Sequence, residues 1–516
     1  MDAKVKIKKI SLLKTSILLS VTMLGLKMVT FFRDMMIARH FGATIESDAF
    51  LVSGTIIGLI TSLIISPLAA SFIPIASELY MDKDKERFNK FIGSSYFTAC
   101  FAGIVITIFQ FAFLDQIIKV VAPGFSEEGV KLIYTLVIIQ LLVITTSVPQ
   151  GVNIGILQLL NKFSIAQVLN NLGIIASIVY LVLFRDRTTI QGITIAFTLG
   201  NVFSAFGGFY IIFREGIFPK LGFKIVNFEL KKILQMMILF AIASGVREIN
   251  IIVDKAIGSL LPIGSITMMS YASKLTVTQV GLISVAISTV AYSQIAKLNA
   301  LSDENEMKQT FVNAINMVNT LIFPMVILTI VLRFEIVNIL FGRGEFTEDN
   351  VQQTAQIMMS YAIGMIGFGM QDVLTRTFHA FKIAKYTVGS SILLVLINVV
   401  LSITLYKSFG ANGVAFSSSI SVLSVIGPLF YVCNRYVISL KGQRLIQETI
   451  KIFFNAIICG IFAYILKSVL LNDVNIIIKL IITVAISMTS YFLIGYIIKI
   501  NVIRESISSI KKKITK

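Results

Sequence analysis

Long apolar runs, interrupted by short polar segments, recur along nearly the whole chain. Each is at least as long as the roughly 20 residues that an α-helix needs to cross the hydrocarbon core of a bilayer. The runs lack the apolar–polar alternation of barrel strands, and backbone groups in lipid must be hydrogen-bonded within the protein, so the pattern predicts membrane-spanning helices. About fourteen blocks are distinguishable: 11–39, 49–79, 90–122, 130–159, 163–184, 190–213, 231–261, 264–296, 308–341, 352–379, 384–406, 411–433, 449–470 and 474–499.

Composition agrees with a membrane protein. Of 516 residues, 56% are hydrophobic and only 14% are charged, which is too little polar surface for a soluble protein of this size. The net charge of +18 does not indicate nucleic-acid binding, because membrane proteins collect Lys and Arg on the cytoplasmic side. The predicted fold class is therefore an all-α integral membrane protein with about 14 transmembrane helices.

Basic residues are unevenly distributed over the two sides of this helix array. An even number of spans places both termini on one side, and both are rich in lysine, from Lys4 to Lys14 and from Lys511 to Lys516. The connections on that side also hold more Lys and Arg than those opposite. By the positive-inside rule both termini are predicted to be cytoplasmic, and the first segment is predicted to be a spanning helix rather than a removable signal peptide.

The two halves of the chain share a weak repeat. Residues 71–92 and 291–312 both end a long helix with S/A-x-x-x-I-A, pass a short charged loop and enter a helix with Phe91 and Phe311 in matching positions. Parallel repeats of this kind are a transporter architecture with the substrate bound between the halves. We therefore predict two six-helix parallel-repeat lobes plus two C-terminal helices. The predicted domains are an N-terminal lobe (1–224), a C-terminal lobe (225–440) and a final helix pair with a basic tail (441–516).

Three basic residues lie inside apolar runs, where a cation costs at least a few kcal/mol near the bilayer centre. Lys27 and Arg33 belong to the first predicted helix, and Lys274 belongs to the eighth. Their comparable depth predicts a cationic, water-filled cavity between the halves that favours an anion, and Arg and Lys are natural phosphate ligands. The alternative is structural, with opposite charges pairing between helices to stabilise the bundle.

Three carboxylates, Asp34, Asp48 and Asp254, are candidates for such structural charges. Asp34 lies on nearly the same helix face as Lys27, seven residues earlier, whereas Arg33 is displaced by about 100°. At the offset of the repeat, Asp34 falls on Asp254. Asp48 is a candidate cap of the second helix, because the sequence ESD precedes an apolar run.

No sequence pattern typical of an enzyme or a metalloprotein argues against transport. The sequence has no G-x-x-x-x-G-K-[ST] loop for ATP, two histidines, and three widely separated cysteines that form neither a metal pattern nor a disulfide framework. The predicted loops are short, so no extramembrane catalytic domain is expected. We predict no enzymatic activity and no cofactor or metal; transport energy would come from an ion gradient, the membrane potential or product removal.

The segment KMVTFFRDMMIARHFGATIESDAFLVSGTI, residues 27–56, resembles the opening signature of the MurJ/MviN flippases. These belong to the multidrug/oligosaccharidyl-lipid/polysaccharide exporter superfamily, and their pattern is roughly R-x-x-G-F-x-R-D-x-x-x-A-x-x-F-G-x-x-x-x-x-D-A-F. The resemblance implies a flippase that moves an undecaprenyl-diphosphate-linked saccharide, either peptidoglycan precursor lipid II or a related cell-envelope polysaccharide unit, to the outer leaflet. Further matching segments span the chain: FIPIASELY (72–80), VAPGF (121–125), SYASKL (270–275), LFGRGEFT (340–347) and RTFHAFKIAKY (376–386).

The resemblance also assigns roles to individual residues. The cavity arginines of the family would fall on Lys27, Arg33 and Lys274, which would contact the diphosphate. Asp48 matches the family's Asp near the outer gate. Membrane lipids are implied partners, a coupling ion stays an open option, and the implied mechanism is alternating access of the two lobes.

The second helix departs from the family pattern. The family carries L-R-R-x-x-A-E-G-A-F shortly before its F-V-P, and alignment without gaps on FIP (72–74) places Ile60 and Thr61 at the Arg pair and Ile65 at the Glu. The lost charges keep an O-antigen or capsule-type polysaccharide exporter open as an alternative to a lipid II flippase. A cation-coupled drug exporter, a membrane polymerase or glycosyltransferase, and a non-transporting scaffold are further alternatives.

Overall fold

The structure, a computed structural model, describes residues 12–82, 84–185, 187–220, 228–439, 442–470, 474–505 and 508. Throughout these ranges the chain is helical apart from turns and short connections, and the described residues contain no strand. The first half contains α1 Leu12–Phe41, α2 Ile45–Met81, α3 Lys85–Ala112, α4 Leu114–Val121, α5 Glu127–Leu159, α6 Phe163–Asn170, α7 Leu172–Leu183 and α8 Ile190–Arg214. The second half contains α9 Phe228–Ser259, α10 Ser265–Ala300, α11 Glu304–Val331, α12 Arg333–Phe341, α13 Glu348–Ala380, α14 Lys385–Tyr436, α15 Gly442–Ile465, a π-helical turn Leu466–Leu470 and α16 Ile476–Ile497.

Every predicted apolar block coincides with a helix, although some blocks are broken or joined. The block 163–184 is broken at Asn171 into α6 and α7, which are bent by 49°. The blocks 384–406 and 411–433 are joined as α14, in which Gly410 has a non-helical φ of +56°. Since a straight helix of this length would extend roughly 78 Å, more than twice the hydrocarbon thickness, Gly410 separates two potential spans.

Ten helices in the described part of the chain are long and apolar enough to cross a membrane, and the bent pair α6–α7 makes eleven. These helices establish an all-helical integral membrane architecture. The ten do not include α1 or α9, and they count α14 once, so the number of about fourteen spans stays a prediction.

The described residues divide into two compact units. Unit 1 comprises α1 and Ile45–Glu248, and unit 2 comprises Gly42–Thr44 together with the described residues from Ile249 onward. The division falls within α9, and the final helices α15 and α16 belong to unit 2. The predicted domain boundaries at 224 and 440 lie outside the described residues and stay predictions.

Corresponding helices of the two units have matching lengths. α3 and α11 are 28 residues long, α5 and α13 are 33 residues long, and the short α4 and α12 follow α3 and α11 after one-residue breaks. The capping is also parallel. Ser126 before α5 accepts from the Gly129 N–H, and Thr347 before α13 accepts from the Asn350 N–H. These local similarities agree with the predicted duplication.

Each unit has its own core. In unit 1, the rings of Phe72 and Phe91 stack with centroids 5.3 Å apart between α2 and α3. In unit 2, Phe311 of α11 is fully buried and meets Phe430 of α14 edge-on, with centroids 6.4 Å apart. Phe91 and Phe311, which match in the sequence repeat, are therefore core residues of their respective units.

Helices α3 and α5 approach closely at Gly103. A Cβ at this position would lie 2.4 Å from the backbone oxygen of Thr145, far inside van der Waals contact. One turn later, the hydroxyls of Thr107 and Thr145 lie 2.8 Å apart and share a hydrogen bond. Small residues at such crossings are how helices associate in lipid, where apolar burial gives no driving force between them.

Replacing Gly103 by alanine is therefore expected to push α3 and α5 apart and to destabilise unit 1 by about 1–3 kcal/mol. Because the chain has no tryptophan, thermal unfolding of the purified protein in detergent is best followed by far-UV circular dichroism. Gly389→Ala on α14 is the matched control, since a Cβ there meets nothing within 4 Å. Equal melting temperatures of the two variants would contradict the close-approach argument.

Candidate functional site

The segment FFRDMMIARHF forms the second half of α1, and its two central charges pair with each other. The Nη2 atom of Arg33 donates to Oδ1 of Asp34 at 2.8 Å, and Nε donates to the same oxygen at 3.2 Å. Both residues are buried, Arg33 being 9% and Asp34 2% exposed. The guanidinium carbon also lies 5.9 Å from the ring centroid of Phe50 on α2, within cation–π range.

This pair changes the interpretation of Arg33. Consecutive helix positions differ by about 100°, which predicted separate directions for Arg33 and Asp34. The arginine side chain is long enough to fold back onto its neighbour, so its charge is balanced within α1. The structural interpretation of Asp34 gains support, while contact of Arg33 with a diphosphate stays a prediction.

Lys27 lies two helical turns before Asp34 on α1 and is exposed. Seven residues span roughly 10.5 Å along a helix and return to nearly the same face, so Lys27 is presented on the Asp34 side of α1. Contact of Lys27 with a diphosphate stays a prediction.

Lys274 belongs to unit 2 and lies in the third turn of α10. The side chains around it in SYASKL anchor the helix, because Tyr271 is buried and stacks on Phe341 with centroids 4.6 Å apart. Ala272 and Leu275 are also buried, whereas Lys274 itself is only half-buried. The three predicted diphosphate ligands are thus divided between the units, two on α1 and one on α10.

Asp48 is not the cap of α2. The helix already begins at Ile45, so Asp48 lies within its first turn and is 4% exposed. A carboxylate in the first turn is stabilised by the partial positive charge of the helix N-terminus. The last turn of α1 holds exposed Arg39 and half-buried His40, the complementary arrangement at a helix C-terminus.

Asp254 lies half-buried on α9 in unit 2. Its Oδ2 atom is 3.4 Å from the amide nitrogen of Asn250, one turn earlier, while Oδ1 is enclosed without a hydrogen-bond partner. The neighbouring Lys255 is directed to the hydroxyl of Ser270 on α10. A gate or structural role for Asp254 stays a prediction. The side chain of Arg247, on the same helix, falls outside the described residues.

An ion pair that the sequence did not predict is found in unit 2. Lys467, in the π-helical turn, donates to Oε2 of Glu335 at 2.9 Å and to the carbonyl of Val331 at 3.0 Å. The Glu335 side chain is only 5% exposed. The pair joins the π-helical turn to the start of α12, as the structural interpretation of membrane charges predicts in general.

Lys467→Met is expected to destabilise the protein by roughly 3 kcal/mol, because it leaves the buried Glu335 carboxylate without its cation. Lys90→Met is the control. Lys90 pairs with Glu86 on α3, but their side chains are 62% and 61% exposed, and such pairs contribute about 0–1 kcal/mol. Thermal melts should show a large shift for the first variant only. Equal shifts would show that the Lys467–Glu335 pair does not stabilise the protein.

The described residues contain no cluster of three or more His, Cys, Asp or Glu side chains that could hold a metal ion. Cys433 and Cys459 are buried and Cys100 is exposed, and all three are free thiols.

Sequence reasoning missed an uncharged cavity inside unit 1. This unit 1 cavity has a volume of about 310 Å³ and is lined by α2, α5, α8 and the region of the α6–α7 break. Its polar lining includes Thr61, Ser62, Gln140, Ser147 and Gln150. A signal was present, since polar residues follow helical spacing along one face of α5, but cavity formation requires several helices to meet.

Comparison with known proteins identifies the family to which the chain belongs. The sequence profile described as "Lipid II flippase MurJ" matches residues 37–485. A probable lipid II flippase MurJ of Buchnera aphidicola subsp. Schizaphis graminum is 29% identical over 424 residues, covering 80% of this chain and 81% of that protein. The lipid II flippase MurJ of Thermosipho africanus is 25% identical over 452 residues, covering 87% and 90%.

Solved structures agree in fold. A structure titled "Lipid II flippase MurJ, inward closed conformation" superposes with a TM-score of 0.79 at 23% identity, covering 94% of this chain and 99% of that one. An inward-facing multidrug resistance MATE transporter of the MOP superfamily superposes with a TM-score of 0.69 at 14% identity, covering 81% and 96%. The chain is an integral membrane protein that belongs to the MurJ family, a family of flippases and therefore of transporters rather than enzymes.

Proposed function

We propose that this chain flips an undecaprenyl-diphosphate-linked saccharide from the inner to the outer leaflet, with the peptidoglycan precursor lipid II as the leading substrate. The observation that carries the proposal is the family match over residues 37–485, which includes Lys274 of α10, while Lys27 and Arg33 of α1 precede the matched range. An anion must meet cations at membrane depth, and the chain supplies them on helices of both units.

The diphosphate would contact Lys27, Arg33 and Lys274. Lys27 offers an exposed ammonium, and Arg33 offers a planar guanidinium whose remaining N–H groups suit a diphosphate oxygen. Because Asp34 holds Arg33 in place, the arginine is already oriented when the substrate arrives. The two lysines keep the charge that the family's arginines carry but act as point charges without bidentate geometry.

The proposed architecture has about 14 spans in two six-helix repeat lobes, 1–224 and 225–440, followed by two helices in 441–516. Both termini would be cytoplasmic, as the distribution of Lys and Arg predicts. The lobes would alternate between inward-open and outward-open states, with Asp34, Asp48 and Asp254 as gate or structural charges. The prenyl tail would stay in the bilayer while the head group crosses.

Energy for net movement would come from an ion gradient, the membrane potential or removal of product. A potential of 100 mV contributes about 2.3 kcal/mol for each elementary charge moved across the membrane. A diphosphate carries negative charge, so the potential acts directly on an anionic substrate unless a coupling cation moves with it.

A related lipid-linked polysaccharide unit is the second candidate. The residues at the family's second-helix Arg pair and Glu are Ile60, Thr61 and Ile65, which removes three charges from this part of unit 1. A cation-coupled drug exporter is supported by fold similarity to MATE transporters alone, which is shared across the superfamily.

The proposal is tested in a bacterial strain whose own lipid II flippase is under an inducible promoter. Expression of this chain should restore growth when the resident flippase is switched off, and it should not increase resistance to cationic drugs. Normal membrane abundance without growth, together with export of an O-antigen or capsule unit in a matching strain, would favour the second candidate. Drug resistance without either activity would overturn both.

A further inference from the structure

The unit 1 cavity has a wall of hydroxyl and amide groups and no ionisable group. Its lining from α2, α5 and α8 contains serine, threonine, asparagine and glutamine beside isoleucine, valine and phenylalanine. The volume of about 310 Å³ lies at the lower end of the range for small-molecule pockets. All lining residues belong to unit 1, so the cavity is a property of this unit alone.

Three hydroxyl groups of the wall already use their protons. Thr61 donates to the carbonyl of Ile57 at 3.1 Å, and Ser62 donates to that of Leu59 at 3.0 Å. On α5, Ser147 donates to the carbonyl of Ile144 at 2.7 Å. Each hydroxyl oxygen retains lone pairs after donating. The wall therefore favours a ligand that brings its own hydrogen-bond donors.

Buried amides hold this wall in place. The Nε2 atom of Gln150 donates to Ser204 at 2.8 Å, and Ser204 donates to the carbonyl of Leu169 at 2.6 Å. The Oε1 atom of Gln150 accepts from Asn153 at 3.0 Å. These bonds connect α5, α6 and α8 through side chains that are at most 5% exposed. A wall fixed in this way is pre-organised for binding and does not need to reorder when a ligand enters.

The lining excludes several ligand classes. A diphosphate would need cations, and a drug cation would need a carboxylate, yet the cavity has neither. A prenyl tail gains nothing from a wall of hydroxyls and amides. A sugar ring would suit both features of the lining, since its hydroxyls can donate to the wall and its C–H faces can pack on Ile174 and Phe197.

We propose that the unit 1 cavity binds the neutral sugar part of the lipid-linked substrate. This inference rests on the proposed function and specifies where the head group is held. It also accounts for the departure of α2 from the family pattern. Thr61 and Ile65, which stand where charged residues are expected, both line the cavity and keep it neutral. Charged side chains at positions 61 and 65 would have placed ionic groups in the wall of the cavity.

The test compares two probes, undecaprenyl diphosphate and the same lipid carrying a neutral disaccharide of N-acetylhexosamines, binding to the full-length protein in nanodiscs. Wild-type protein should bind the sugar-bearing lipid about tenfold more tightly. Ser62→Leu, which places an isobutyl group in the cavity, should abolish this preference and leave the affinity for the bare lipid as in wild type. Thr61→Val, which removes one acceptor, should reduce the preference about threefold.

Thr55→Leu is the matched control on α2, because Thr55 does not line the cavity. It should retain the full sugar preference. Any of three results overturns the assignment of the sugar to the unit 1 cavity. Wild type binds both lipids equally, Ser62→Leu protein keeps the wild-type preference for the sugar-bearing lipid, or Ser62→Leu protein binds both lipids more weakly by the same factor. Failure of wild type to bind either lipid would overturn the proposed function and this assignment together, whereas equal binding of both overturns the pocket alone.

Discussion

The Arg33→Ala/Lys274→Ala double variant is expected to reduce transport of the lipid-linked saccharide by at least about 100-fold. Each charge-assisted hydrogen bond contributes roughly 1.5–3 kcal/mol, and two of them exceed the roughly 2.8 kcal/mol that corresponds to a factor of 100. The loss should be seen as a lower initial rate of leaflet exchange in proteoliposomes at matched protein density.

Two further variants separate loss of binding from loss of structure. Arg33→Ala removes the partner of buried Asp34, so its effect combines both, whereas Lys27 is exposed and Lys274 is half-buried. Lys27→Ala should therefore lower transport while melting near the wild-type temperature, because Lys27 is exposed. Arg39→Ala, at the exposed end of α1, should transport normally. Normal flipping by the Arg33→Ala/Lys274→Ala variant would rule out the diphosphate assignment.

Asp34→Ala is expected to have the largest effect on stability of any single change in α1. It leaves the guanidinium of Arg33, only 9% exposed, without the carboxylate that it meets at 2.8 Å. Breaking a buried pair from one side costs about 3–5 kcal/mol, because the remaining charge is uncompensated. The melting temperature and the yield of monodisperse protein should both fall.

The double variant Arg33→Met/Asp34→Leu removes both charges at once. Apolar replacement of a whole buried pair is often neutral or stabilising, so this variant should recover most of the stability that Asp34→Ala loses. It should still fail to transport, since it lacks the guanidinium. Stability near wild type in Asp34→Ala, or transport by the double variant, would contradict the role assigned to this pair.

Much of the fold follows from the sequence because lipid imposes a simple rule. Backbone groups must be satisfied locally, so the length of an apolar run predicts a helix directly. All predicted blocks coincide with helices, and the matched Phe91 and Phe311 are core residues in both units. The gap between the blocks 384–406 and 411–433 coincides with the break at Gly410, whereas the bend at Asn171 was not predicted, since composition alone does not show where a helix bends inside an apolar run.

The site was harder to predict than the fold. Side-chain direction along α1 separated Arg33 from Asp34 on a helical wheel, but the flexible arginine folds back and pairs with its neighbour. Asp48 matched a capping pattern, but α2 begins three residues earlier, at Ile45. The unit 1 cavity depends on several helices at once, and the Lys467–Glu335 pair joins segments 132 residues apart.

Leaflet-resolved transport in proteoliposomes tests the central claim most directly. Purified wild-type protein is reconstituted with fluorescent lipid II, and a membrane-impermeant quencher reports the fraction of head groups in the outer leaflet over time. The proposed function predicts that lipid in the inner leaflet becomes accessible much faster than in vesicles without protein or with Arg33→Ala/Lys274→Ala protein. Accessibility that stays at the protein-free level for lipid II and for related undecaprenyl-diphosphate saccharides, under an imposed membrane potential, would contradict it.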